Sequence, residues 1–293
     1  MPFLQVSFPA RAAAAESAEA ACFELGAASV TLADAADEPI LEPAPGATPL
    51  WPRLRVTALF AIDRDARAVI GALCAALPGL APSAVSVERI ADRVWEREWL
   101  RDFHAMRFGK RLWVAPTHEP VETAGAVVVA MDPGLAFGTG THATTALCLD
   151  WLDSARLKGR RVVDYGCGSG ILAVAALKLG ATHVHAVDID AQALLATRSN
   201  AAANGVLGAI AISAPDELRA PCDVLIANIL SGALIDLAPR LAALVVPGGD
   251  LVLSGVMTSE TDAVTLAYQS WFDMKEPCQL DIWARLDGQR RLT

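Results

Sequence analysis

Asp164, Gly166, Gly168, Gly170 and Asp188 are the residues whose types and spacing could do chemistry. The apolar run Arg161-Val162-Val163 ends in Asp164, and glycine then takes every second position of Gly166-Cys167-Gly168-Ser169-Gly170. A helical apolar pattern follows from Ile171 to Leu179 and stops at Gly180, and a second apolar strand, residues 183–187, ends in Asp188. Strand, glycine turn, helix, strand and acid make half of a nucleotide-binding α/β unit. The glycines let a ligand approach the backbone closely, and the helix start offers N–H groups to an anionic part of it. Asp188 is placed to accept hydrogen bonds from ribose hydroxyls. A dinucleotide fingerprint, GxGxxG, would need glycine where Ile171 stands, and no GxxxxGK[ST] phosphate loop occurs.

Two further segments carry polar groups where a ligand would lie. The Gly- and Thr-rich stretch 132–145 precedes the first strand of the nucleotide unit, and its hydroxyls and N–H groups could fold over the ligand. Thr145, opening the following helix, is the threonine assigned to the contact. Phe137 is placed to cover a cationic centre or the substrate channel. His142 reads as a hydrogen-bonded structural residue, and Cys167 as a small filler rather than a nucleophile. Asn228 ends the fourth strand, where a doubly wound sheet opens its ligand crevice, and its carbonyl can hold an amine N–H.

The run Asp164 to Gly170 resembles the DxGxGxG motif of class I S-adenosylmethionine-dependent methyltransferases. Their cofactor has no phosphates, so the loop serves an amino-acid carboxylate and amine plus an adenosine. LAFGTGTHATT, DYGCGSGILAVAALKLGA, AVDID, ANIL and PGGDLVLSG stand in the order and spacing of the ribosomal protein L11 methyltransferases. Upstream, WEREWLRDFHAMRFGKRLWVAP is similar to that family's connector. The likeness covers roughly residues 95–255 strongly and the first ninety residues by architecture only. It implies S-adenosylmethionine as donor, methylation of the α-amino group and lysine side chains of one ribosomal protein, and an N-terminal domain that presents that protein. It also implies cofactor contacts at Thr145, Gly166, Asp188 and Asn228, to which the glycine turn itself adds Gly168. Asn228 is the expected catalytic residue, aligning the amine with help from a neighbouring carbonyl while solvent takes the proton. Two departures stand out. Amino-methyltransferases usually show [DN]PP[YF], whereas Asn228-Ile229-Leu230-Ser231 lacks the aromatic that flanks the acceptor nitrogen. The third strand ends in Ala214-Pro215-Asp216 where many such enzymes have GD, which leaves Asp216 as the candidate adenine contact. A class I enzyme acting on another amine, a small molecule or an RNA base, stays open. A nicotinamide oxidoreductase is opposed by Ile171 and by the lack of a catalytic Lys/Tyr/His pattern.

The elements that must position these residues follow from periodicity. Residues 3–8, 29–32, 54–62 and 84–90 read as strands, and 12–25 and 66–77 as helices, giving the β-α-β-β-α-β order of a ferredoxin-like domain. Trp95, Trp99 and Phe103 share one helix face, with His104 beside it, in a connector packed on one of the domains. Strands then alternate with helices, and candidate strands 271–275 and 279–286 close the chain. The expected fold is therefore α/β. A Rossmann-like methyltransferase domain, with a mostly parallel seven-stranded sheet and an antiparallel edge hairpin, follows a small ferredoxin-like α+β domain. Boundaries are placed at 1–92 for substrate recognition, 93–111 for the connector and 112–293 for catalysis.

Composition sets the remaining limits. A net charge of −9 disfavours broad binding to a phosphate backbone. The apolar runs, such as residues 124–131, are too short to span a bilayer, and the first residues lack the basic start of a secretory signal. Six cysteines without a CxxC pair argue against zinc and disulfides and fit a reducing compartment. The expectation is a cytoplasmic, monomeric enzyme with no metal, no membrane contact and no direct nucleic-acid binding.

Overall fold

The structure, a computed structural model, describes residues 2–36, 49–90, 104–131 and 142–292. The chain divides into two units, Met1–Trp95 and Glu96–Thr293. In the first, strict alternation makes the sheet. β1 (Phe3–Arg11) buries Leu4, Val6 and Phe8, and β3 (Arg53–Ala61) buries Leu54, Val56, Ala58 and Phe60. Two helices, α1 (Ala15–Glu24) and α2 (Ala66–Ala76), supply Ala18, Cys22, Val69 and Leu73 to the same core. Asp65 starts α2 by accepting the Arg67 N–H at 3.0 Å. With β2 (Ser29–Asp34) and β4 (Ser86–Ile90) the antiparallel order is β2-β3-β1-β4, the ferredoxin-like arrangement. The Trp95, Trp99 and Phe103 stripe lies outside the described residues, as does most of the loop expected at 34–52.

The second unit begins with a small sheet that the sequence reading did not anticipate as a separate layer. β5 (Met106–Phe108) pairs antiparallel with β6 (Leu112–Ala115), which pairs parallel with β7 (Val127–Ala130). β5 falls within the segment read as connector. Its turn is fixed from a distance: Asp150 Oδ1 accepts the Gly109 N–H and Asp153 Oδ2 the Lys110 N–H, each at 2.6 Å. Both acids lie on α3 (Ala143–Ser154), some forty residues on. Gly109, at φ 60°, marks the turn locally, but its anchoring by these two acids has no local signal.

The main sheet is built from β8 (Arg161–Tyr165), β9 (His183–Val187), β10 (Ile210–Ser213), β11 (Cys222–Asn228) and β12 (Val245–Met257), all parallel. Between them run α4 (Ile171–Lys178), α5 (Ala191–Ala203) and α6 (Ser231–Leu244), followed by α7 (Thr261–Tyr268). Every residue of α4 from Ile171 to Leu177 is buried, so this helix is apolar all round rather than amphipathic. The chain closes with β13 (Phe272–Met274), β14 (Cys278–Leu280) and β15 (Trp283–Arg290). The continuous path is β10-β9-β8-β11-β12-β15-β13, with β14 hydrogen-bonded to β15 beside it. β15 lies antiparallel to β12 and gives the expected edge hairpin. The strand expected at 279–286 is interrupted: Asp281 takes φ 55° and turns the chain between Leu280 and Trp283. Aspartate tolerates that left-handed conformation without glycine, which is why the turn escaped notice. Strand order reverses between β8 and β11, so the crevice opens beyond Tyr165 and Asn228.

Candidate active site

Asp164 is the next-to-last residue of β8 and is almost wholly buried. Its Oδ2 accepts the Ala173 N–H at 3.0 Å, so it caps the first turn of α4 from the neighbouring strand. Burial pushes this carboxyl up to about 7, opposed by the Ala173 bond and reinforced by the nearby charge of Asp188. The chain then turns through Gly166, Gly168 and Gly170 with φ of 81°, 52° and 78°, a region that disfavours any Cβ. Space is equally restricted: a methyl on Gly166 would run into Ile229 Cγ2, and one on Gly170 would lie 2.7 Å from Thr197 Cγ2. Gly166 and Cys167 donate to the Val187 carbonyl at 2.8 and 3.0 Å, locking the turn against β9. Burial pushes the Cys167 thiol up to about 12, which fits a filler and not a nucleophile.

Asp188 binds the turn directly. Its Oδ2 accepts the Gly168 N–H at 2.9 Å and its Oδ1 the Asp190 N–H at 3.0 Å. A carboxylate has about four acceptor directions, so each oxygen keeps one for a vicinal ribose hydroxyl. The next side chain, Ile189, is 92 % exposed, an apolar surface beside that acid and suited to the face of a planar base.

On the opposite side, α3 opens with His142, whose Nδ1 accepts the Thr144 N–H at 3.3 Å and lies 2.7 Å from Thr144 Oγ1. This is the structural role the sequence suggested for it. Thr145, one residue further, is buried, and its Oγ1 accepts from Asn228 Nδ2 at 3.3 Å. The bond holds the Asn228 side chain against Thr145, and an amide so placed has one polar atom left for a ligand. Ile229 follows, wedged between Gly166 and Gly255; Gly255 has φ 82°, and a methyl there would strike the Ile229 backbone.

A cavity of about 350 Å³ joins these parts. Thr145, Gly166, Gly168 and Asn228 line it; Asp188 does not, and is tied to the lining only by its bond from the Gly168 N–H. Asp216 sits exposed in the 3-10 turn Pro215–Glu217 and does not line it. Phe137 lies outside the described residues. Lining residues that the sequence reading gave no site role include Leu172, Gly255 and Trp283. The Trp283 ring meets His142 edge-on, 5.0 Å between centroids and 65° between planes. Only the apolar spacing of the tail hinted at it, since its partner lies far away in sequence. Main-chain N–H groups, a paired carboxylate and apolar walls suit a nucleoside bearing an amino acid. Among the described lining residues there is no lysine or arginine.

The family described as "Ribosomal protein L11 methyltransferase (PrmA)" matches residues 2–291. The ribosomal protein L11 methyltransferase of Pseudomonas paraeruginosa is 49 % identical over 293 residues, covering 99 % of each chain. That of Azotobacter vinelandii is likewise 49 % identical, covering 99 % of this chain and 100 % of its own. Among solved structures, a ribosomal protein L11 methylase from Lactobacillus delbrueckii subsp. bulgaricus gives a TM-score of 0.60 at 32 % identity. That likeness covers 64 % of this chain and 100 % of the other.

Proposed function

Since the chain belongs to the ribosomal protein L11 methyltransferase family, we propose that it methylates the α-amino group and lysine side chains of ribosomal protein L11, with S-adenosylmethionine as donor. Bound S-adenosylmethionine supplies a methyl group made electrophilic by its sulfonium. Asp188 holds the ribose hydroxyls, Gly166 and Gly168 bring main chain against the amino-acid end, and Thr145 and Asn228 close the reacting end. Residues 1–92 present the protein substrate and 93–111 connect the two parts. None of the described helices is long and apolar enough to cross a membrane. In this reading the enzyme is a cytoplasmic monomer.

The reading is supported by the Asn228–Thr145 bond, which fixes an amide at the strand end that lines the cavity. A lysine amine has a pKa near 10.4 and an α-amine about 8, so either must shed a proton before attack. Ile229, Leu230 and Trp283 offer apolar surface that favours the neutral amine over the ammonium. Asn228 Oδ1 then accepts one N–H and orients the lone pair, so that positioning dominates over proton abstraction. His142 has its Nδ1 committed to Thr144, and the Cys167 thiol is held protonated, so the proton leaves to water at the mouth.

The test is incubation with methyl-labelled S-adenosylmethionine and a complete set of ribosomal proteins and RNA, followed by mass identification of the labelled polymer. Label on L11 amines is the expected result. Label on another polypeptide or on RNA, with L11 unmodified, overturns the substrate assignment.

A further inference from the structure

Helix α5 carries a polar face that the reaction as described does not use: Thr197, Asn200 and Asn204, at helical spacing, with Asn204 closing the helix. The first two point at the glycine turn. Thr197 Oγ1 donates to the Gly168 carbonyl at 3.0 Å, and Asn200 Nδ2 to the Ser169 carbonyl at 2.8 Å. Asn204 reaches a different element. Its Oδ1 accepts the Ala130 N–H at 2.8 Å and its Nδ2 donates to the Ala130 carbonyl at 2.7 Å. The same Nδ2 also donates to the Asn200 carbonyl at 2.9 Å.

β7, which contains Ala130, is the edge of the small sheet, so the outward N–H and C=O of that residue have no neighbouring strand. The Asn204 amide replaces one. It presents a donor and an acceptor side by side, as a peptide group would. Asn204 is only 9 % exposed, so both bonds are made away from water and leaving either partner alone is costly. One helix face thus ties two segments far apart in sequence, the β7 edge and the carbonyls of the glycine turn.

We propose that Asn204 is a positioning residue for the cofactor turn. By anchoring the end of α5 to β7 it fixes the helix from which Thr197 and Asn200 hold Gly168 and Ser169, and so the Gly168 N–H that Asp188 accepts. Asn204 touches neither substrate nor cofactor. The inference rests on the reading of this turn as the S-adenosylmethionine site.

N204D tests it, because a carboxylate keeps the bond to the Ala130 N–H but opposes the Ala130 carbonyl. A protonated carboxyl, in contrast, restores both bonds. Neither β7 nor residues 199–203 carry an ionisable side chain, so the introduced carboxyl is the new titrating group. Taking the ratio to wild type removes the titration of Asp164, which both proteins share. Calorimetry with S-adenosylhomocysteine at pH 8 should show binding weakened about tenfold, the size of one lost buried hydrogen bond. The ratio should return toward one as pH falls through the carboxyl's titration. The KM for S-adenosylmethionine should rise at pH 8 while kcat at saturation stays within about twofold. Without ligand, amide exchange at residues 166–170 should be faster in the variant, a readout independent of what the turn binds.

Wild-type affinity at pH 8, or a deficit that lowering the pH leaves unchanged, would overturn the proposal. Should N204D fail to fold, Asn200→Ala, which removes the bond to the Ser169 carbonyl, carries the affinity and exchange measurements at pH 8, and unaltered exchange at the turn in that variant would overturn it. Failure of the wild type to bind S-adenosylhomocysteine, with exchange altered as expected, would instead sink the cofactor reading and leave the clamp standing.

Discussion

The cofactor wall of the crevice is one stretch of chain, Asp164 to Asp188, whereas the acceptor wall draws Thr145, Asn228, Gly255 and Trp283 from four separate elements. The first wall works through main chain: positive-φ glycines, N–H groups and a carboxylate that binds the turn and, in the proposed reading, the ligand. The second works through side chains, an amide oriented by a threonine and apolar groups around it. Binding and reaction are therefore separable, and substitutions on one wall should leave the other's readout nearly intact.

The largest effect is expected for Gly168→Val. Its φ of 52° excludes a β-branched residue, and the variant should lose S-adenosylhomocysteine affinity in calorimetry by about a hundredfold or more. Near-normal affinity would break the comparison at its base. Next come two substitutions in opposite directions. Asn228→Ala should lower kcat about a hundredfold, the usual cost of one preorganised polar contact, with product affinity within about threefold. Asp188→Ala should weaken S-adenosylhomocysteine by about thirtyfold while kcat at saturating cofactor changes little. If both variants fall equally in both measurements, the two walls are not separate. A smaller effect belongs to Trp283→Ala, which should raise the KM for the protein substrate about tenfold with cofactor affinity unchanged.

The last effect is on stability. Asp164 is raised to about 7 when folded, so between the ordinary carboxyl value and that pH the folded state holds a proton that the unfolded chain releases. Stability should fall as pH rises from about 4 to 7, and Asp164→Asn should flatten that slope in thermal melts followed across the range. A slope unchanged by the substitution would show that Asp164 stays ionised in the fold.

The same contrast explains what was legible beforehand. The glycine turn, its helix and Asp188 follow one another in sequence, so strand and helix periods together with three glycines display them. Asn228 was found because a strand end beside the switch point is a definite place in a doubly wound sheet. Trp283 could not be found in that way. It faces the crevice only because β15 returns antiparallel beside β12, and that register is set by contacts across the whole sheet. The β5–β6 turn is a similar case, held by acids on α3. Asp164 was recognised as part of the motif, but its capping of α4 was visible only once the neighbouring strand and helix were in place. The tail hairpin was misplaced by a few residues because an aspartate does there what a glycine usually signals.

Ile229 has a side chain set against Gly166 and a backbone set against Gly255, so the two walls share one partition. Its size and both hydrogen-only neighbours form a three-way lock in which no member can be enlarged alone. Anyone redesigning the acceptor specificity, for instance by grafting a Pro-Pro-aromatic segment after Asn228, would have to rebuild the nucleoside side in the same step. Libraries that vary positions 166, 229 and 255 jointly should yield active variants where single-site libraries at 166 or 255 return none.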